Sequence, residues 1–361
     1  MANKPIPQHP RRVLLVNPTK YLGNLLIAGG LMQAYADHCH ANRIELRILI
    51  DEAFLDLCAD SFPRGMLLTF PRRAINQAGA LNKAALYLRQ LRCLRDFRAD
   101  LAFNIEEDSA TSHLTRFSGA AFKLGCSRAR HGRGYDHVIP VQFENRPEQR
   151  QHRWYSLYDV FAALGMPEPS PGYLNLTLNE ASAPLRQKLA ALGLRFDKPV
   201  IALHAGATKD YKKWPLAHMA ALCSKLLAAG LQPVLFGAGN NDLAANRTIR
   251  ELLAAEHQPA PTDLCNCLSL TELAQFLLQC RAMVGNDSGP FHLGSALGVP
   301  GFVLWGPTNR DIWGPLGKQS RLVNGRFTCA TTCNKGHCDY DYRCMKSITP
   351  EQVLAGINSL A

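Results

Sequence analysis

Three short segments hold side chains able to grip and neutralise a doubly charged anion. In Val284-Gly285-Asn286-Asp287-Ser288-Gly289-Pro290-Phe291-His292-Leu293, an apolar run meets a Gly turn and then Pro290 at a first helical position. The free N–H groups at such a helix start attract phosphate or diphosphate. Ser288 adds a hydroxyl, Gly289 lets the ligand approach its backbone, and His292 lies one turn in. Asp287 would repel phosphate, so it orients the turn or contacts a sugar hydroxyl. The plain alternative is a strand–helix junction with Asp and Ser as caps. The second segment, residues 204–215, carries Thr208 and Lys212, a hydroxyl and a cation for a diphosphate, before Trp214-Pro215. Its plain alternative is a solvated basic loop. The third, Gly237-Ala238-Gly239-Asn240-Asn241-Asp242, is a Gly-rich turn and is weak by itself.

Each segment must hang from a strand, and the hydropathy pattern supplies one. Strands read at 13–16, 44–50 and 100–105, with a helix to about residue 40, another through 117 and a third over 153–164. A breaker-rich stretch at 165–172 starts a linker. The alternation then restarts, with strands at 200–204, 233–236, 282–285 and 301–305. The helices between them fall at 215–229, 242–255, 271–280 and 290–297. Two runs of βαβ units predict two doubly wound α/β domains, in which ligands bind beyond the carboxyl ends of strands. All three segments sit at such ends.

In this order the segments resemble the ADP-heptose glycosyltransferases of bacterial lipopolysaccharide synthesis, glycosyltransferase family 9. Residues 287–292 are similar to the family's D-[ST]-G-x-x-H signature, and Lys212-Lys213-Trp214-Pro215 to its K-x-W-P element. Ala296-Leu297-Gly298-Val299-Pro300 and Leu304-Trp305-Gly306-Pro307-Thr308 continue the pattern. A looser likeness extends through residues 99–103 and 118–125. The resemblance implies a GT-B fold, two Rossmann-like domains whose parallel sheets face each other across a cleft. It sets an N-terminal acceptor domain at 1–172, a C-terminal donor domain at 173–328, and a Cys-rich tail with a final helix at 329–361. Carried over by position, Thr208, Lys212, Ser288, Gly289 and His292 bind the donor diphosphate. Asp287 contacts the donor sugar or nucleotide, and Asn241 or Asp242 lies near the ribose. The implied reaction is inverting transfer of a heptose from an ADP-sugar to the lipopolysaccharide core. It needs no metal, because Lys212, His292 and helix N–H groups stabilise the leaving diphosphate.

One departure bears on the mechanism. The family's loop after the first strand ends in Gly-Asp, and that Asp is the proposed base. Here the element reads Lys20-Tyr21-Leu22-Gly23-Asn24. An amide cannot take the acceptor hydroxyl's proton. Either another carboxylate serves, with Glu106, Glu107 and Asp108 after the 100–105 strand as candidates, or Asn24 only positions the acceptor, or the protein binds without turnover. The three acids also suit a helix N-terminus. A GT-B enzyme using a different nucleotide sugar is a further alternative.

Charge and cysteine content bound the partners. Net charge is +11, and residues 64–153 hold 16 Lys/Arg against 8 Asp/Glu, whereas residues 1–63 balance at 6 and 6. Arg89, Arg92, Arg95 and Arg98 recur at helical spacing, and Arg128, Arg130 and Arg133 lie in a Gly-rich loop. Such a region is either a solvated face or an attractor of polyanions. No nucleic-acid motif accompanies it, so the expected partners are an anionic glycolipid acceptor and, peripherally, the inner-membrane surface. With no signal-peptide pattern and no long apolar run, the expected location is cytoplasmic. Of 12 Cys, four fall at Cys329, Cys333, Cys338 and Cys344. They suit either a structural Zn or Fe site or reduced thiols.

Overall fold

The computed structural model describes residues 3–106, 109–126, 134–140, 150–178, 182–327 and 338–360. The chain divides into two compact units, Met1–Thr177 and Leu178–Ala361.

In the first unit the strands are β1 (Arg12–Val16), β2 (Glu45–Asp51), β3 (Leu67–Phe70), β4 (Leu101–Asn104), β5 (Phe122–Gly125) and β6 (His137–Val138). They form one sheet in the order β3-β2-β1-β4-β5-β6. The second unit holds β7 (Val200–His204), β8 (Gln232–Leu235), β9 (Thr262–Asp263), β10 (Ala282–Asn286), β11 (Gly301–Trp305) and β12 (Ser320–Asn324). Their order is β12-β11-β10-β7-β8-β9. Every neighbouring pair is parallel. Counted from each unit's own first strand, both sheets run 3-2-1-4-5-6, the doubly wound order. The chain reverses its winding between β1 and β4 in one sheet and between β7 and β10 in the other. Those gaps are where a ligand meets loops from both directions.

The central strands are buried on both faces because helices cover each side, so they read as continuous apolar runs. Val13 to Val16, Leu101 to Phe103, Ile201 to Leu203 and Phe302 to Leu304 are almost wholly inaccessible. In the first unit Tyr35, Phe103 and Phe161 meet edge to face or tilted, with ring centroids 5.3–5.5 Å apart. In the second, Val353 and Ile357 of the final helix Pro350–Asn358 join the apolar core, with Met345 and Ile348 just ahead of it. That helix starts cleanly. Thr349 and Gln352 form a capping box and Pro350 fills the first position. Gly356 is required there, since a Cβ would come within 2.6 Å of the Phe302 ring.

Two local expectations change. The first helix begins at Leu22, so Asn24 belongs to its first turn and not to the preceding loop. Helix Ala80–Asp96 ends before Arg98, which has φ +52°, so only Arg89, Arg92 and Arg95 share the helix. Those three are exposed opposite the buried Leu91 and Leu94, as a solvated face should be. Arg128, Arg130 and Arg133 lie outside the described residues.

Candidate active site

The carboxyl ends of β7 and β10 hold most of the residues singled out in the sequence. Asn286, the last residue of β10, is fully buried and acts as a staple. Its amide donates to the Ala205 and Gly206 carbonyls (2.9 and 3.2 Å), and its Oδ1 accepts from the Trp214 N–H at 3.1 Å. One side chain thus fixes both ends of the 205–214 loop to the neighbouring strand. Trp214 is itself buried, and its Nε1 donates to the Ile348 carbonyl at 3.0 Å. The tail therefore braces the loop from behind.

This staple sets Lys212 over the next turn. Its Nζ lies 2.6 Å from Asp287 Oδ2, and His292 Nε2 lies 3.7 Å from Oδ1 of the same carboxylate. Burial alone would raise the Asp287 pKa. The His292 hydrogen bond and the Lys212 charge outweigh it and hold the carboxyl below the usual aspartate range. Asp287 therefore acts as the anchor that holds two nitrogen bases at one helix end. Helix Gly289–Ala296 starts here with Pro290 in its first turn. Ser288 is its N-cap but caps none of the first-turn N–H groups with its side chain. The Ser288 hydroxyl instead lies 3.2 Å from His204 Nδ1. The structure thus brings Lys212, His292, Ser288 and the first-turn amides to one helix end, around the Asp287 carboxylate.

Thr208 lies in the exposed stretch of the 205–214 loop, and Gly289 opens the helix. Asn241 is exposed on the first turn of helix Asn240–Ala255. Asp242 is turned inward. Its Oδ2 accepts from the Ala238 N–H at 2.9 Å and lies 3.3 Å from His204 Nε2. A cavity of about 690 Å³ opens beside these loops, lined by Gly206, Lys213, Trp214, Asn241, Asp242 and Tyr342 among others.

At the corresponding switch point of the first unit, Asn24 and Glu106 meet. The Asn24 amide donates to Glu106 Oε1 at 3.3 Å, joining the helix after β1 to the loop after β4. Asn104, at the end of β4, repeats the staple device. It bonds the Tyr135 hydroxyl, Thr115 and the Cys126 backbone at 2.6–3.2 Å. Glu107 and Asp108 lie outside the described residues, as do Cys329 and Cys333. Cys344 is packed into the apolar core, and Cys338 Sγ accepts from the Tyr342 N–H at 3.3 Å. Among the described residues no group of three His, Cys, Asp or Glu side chains is placed to hold a metal.

Two residues of the candidate site escaped sequence reading. His204 and Asn286 sit inside the quoted segments, but their partners lie tens of residues away and only the fold brings them together.

Known proteins resemble this chain in sequence and in fold. The model of glycosyltransferase family 9 (heptosyltransferase) matches residues 87–341. Lipopolysaccharide heptosyltransferase 2 of Escherichia coli strain K12 is 26% identical over 372 aligned positions, covering 97% of this chain and 98% of that protein. Among solved structures, a family 9 glycosyltransferase from Veillonella parvula superposes with TM-score 0.77 at 19% identity, covering 97% of each chain. The ADP-heptose lipopolysaccharide heptosyltransferase II of E. coli superposes with TM-score 0.71 at 22% identity, covering 97% of this chain and 98% of that one. A doubly wound pair of units and a family match over most of the length lead to one conclusion: the chain belongs to glycosyltransferase family 9, the heptosyltransferases.

Proposed function

We propose that this glycosyltransferase moves a heptose from an ADP-activated donor to the core oligosaccharide of lipopolysaccharide. The observation that carries the reading is the Lys212–Asp287–His292 cluster beside Ser288 at the uncapped start of helix Gly289–Ala296. Transfer to an acceptor hydroxyl makes a diphosphate leave with its full charge. Lys212, the helix N–H groups and His292 are preorganised to receive that charge without a metal ion. Thr208 contributes a hydroxyl from the loop above, and Asn241 faces the ribose. The E. coli relative of known structure is an ADP-heptose enzyme, which supports the same donor here.

Inversion at the sugar needs a base on the acceptor side. Glu106 is the carboxylate best suited to it, because Asn24 fills the position of the family's acid and donates its amide to Glu106. The amide orients the carboxylate instead of replacing it. The basic residues 64–153 suit an acceptor bearing acidic sugars and phosphates, and they suit peripheral contact with an anionic membrane surface. No helix among the described residues is long and apolar enough to cross a membrane.

Nucleotide selectivity tests the donor. Saturating ADP stabilises the fold by mass action, about 2.7 kcal/mol at a hundredfold excess over Kd. For units of this size that corresponds to a rise in Tm of roughly 5–10 °C. UDP and GDP are expected to shift Tm by less than half as much. A response to UDP alone would overturn the ADP-heptose reading.

A further inference from the structure

The second unit carries a chain of hydrogen bonds that the Lys212–Asp287–His292 cluster does not explain. Asp242 Oδ2, His204 Nε2, His204 Nδ1 and Ser288 Oγ form a line, with contacts of 3.3 and 3.2 Å. His204 is 3% exposed and ends β7, where its register partner is Gly285 of β10. Its ring lies against Phe236, centroids 5.3 Å apart. Space has been cleared for the pair. A Cβ on Gly206 would fall 2.0 Å from Asp242 Oδ1 and 3.0 Å from His204 Nε2, and one on Gly237 would fall 2.6 Å from Asp242 Oδ2.

The donors and acceptors leave two states. An ionised Asp242 only accepts, so Nε2 of His204 carries a hydrogen in both. If the ring is neutral, Nδ1 is a bare acceptor and takes the one proton of the Ser288 hydroxyl. Ser288 then turns lone pairs toward any ligand, and a diphosphate, which at neutral pH only accepts, is repelled. If the ring is an imidazolium, Nδ1–H donates to Ser288 Oγ and the hydroxyl proton is released to point outward. We propose that His204 is a positioning residue that sets the polarity of Ser288: as an imidazolium held by Asp242 it makes the hydroxyl a donor to a nucleoside diphosphate, and it takes up one proton from solvent when that ligand binds. This rests on the reading of Ser288 as a diphosphate ligand.

Asp242 faces the His204 ring from helix Asn240–Ala255, and the Phe236 ring packs against it from just beyond β8. Burial raises the Asp242 pKa, but the His204 contact and charge, the Ala238 N–H and the Lys213 charge leave it below the ordinary range. The remaining titratable groups nearby are Lys212, Asp287 and His292, on the side of Ser288, and the Cys265 thiol, kept neutral because burial and the Asp263 and Asp242 charges push it up to about 11.

Isothermal titration of the full chain with ADP, in buffers of different ionisation enthalpy between pH 7.5 and 9, measures the proton taken up. Wild type should take up a substantial fraction of one proton, and its Kd should rise with pH, by at most about tenfold per unit for one linked proton. His204→Asn keeps a hydrogen-bonding group near Nδ1 but cannot titrate, so uptake should vanish and the Kd profile flatten. Ser288→Ala leaves His204 in place and should abolish most of the uptake as well, which keeps the test sound if His204→Asn folds poorly. ADP binding without uptake, or uptake that persists in both variants and so belongs to His292, overturns the relay and leaves the donor reading standing. Absence of ADP binding to wild type overturns both.

Discussion

Lys212→Met is expected to lower kcat/KM by about 10²–10³, the usual effect of removing one preorganised donor from a developing anion. The methionine keeps the apolar stem and removes only the cation, so the 205–214 loop should stay in place under its Asn286 staple. Most of the loss should appear in kcat, because the charge on the leaving diphosphate grows as the sugar bond breaks. Lys212→Arg should recover part of it. Stability changes too, with a defined sign. Asp287 is ionised below the ordinary aspartate range, against the effect of its burial, through the His292 hydrogen bond and the Lys212 charge. A depressed carboxyl contributes stability that is present above its unfolded pKa and lost as pH falls through the folded value. Without Lys212 the folded value rises, so the variant should lose about 1–3 kcal/mol at pH 7, less than a fully broken buried pair because His292 stays. It should also unfold at a higher pH on acidification. Thermal melts across pH 3–7 read this directly.

Glu106→Gln is expected to lower kcat by about 10²–10⁴, the range for loss of a general base. The shape and the Asn24 contact survive in the amide, and the residue lies in the first unit, so ADP affinity should not change. A drop in kcat at constant ADP affinity separates a base from a folding defect. A partial rescue sharpens the test. Asn24→Asp added to Glu106→Gln returns a carboxylate to the same hydrogen-bonded pair and should restore at least tenfold of the lost rate. Full activity in Glu106→Gln would remove Glu106 from the role and pass it to another carboxylate.

Much of the donor side was legible before any coordinates, for a physical reason. Strands buried on both faces, such as β7, β10 and β11, are unbroken apolar runs, and the turns after them are marked by Gly and Pro. The missed strands are short or lie at the sheet edges. β3 is only partly covered, β5 has four residues and a Lys at its centre, β6 and β9 have two residues each, and β12 has no fully buried position. Such segments lack a strong period, and only pairing with a neighbour makes them strands. The same limit applies to the site. Lys212, Ser288 and His292 announce an anion site by type and by place. Asp287 as their anchor, Asn286 as a staple and His204 as a link between Asp242 and Ser288 depend on contacts 38 to 84 residues apart along the chain, apart from the local Asp287–His292 pair. No local pattern encodes them.

The central claim is tested most directly by incubating the purified chain with ADP-heptose and a lipopolysaccharide core acceptor. Mass spectrometry of the glycolipid and assay of released ADP then read the outcome. The account predicts an acceptor heavier by one heptose, with one ADP released per transfer, and no comparable product from UDP- or GDP-sugars. An acceptor left unmodified by ADP-heptose but glycosylated from another nucleotide sugar would contradict it, as would ADP release with no gain in acceptor mass.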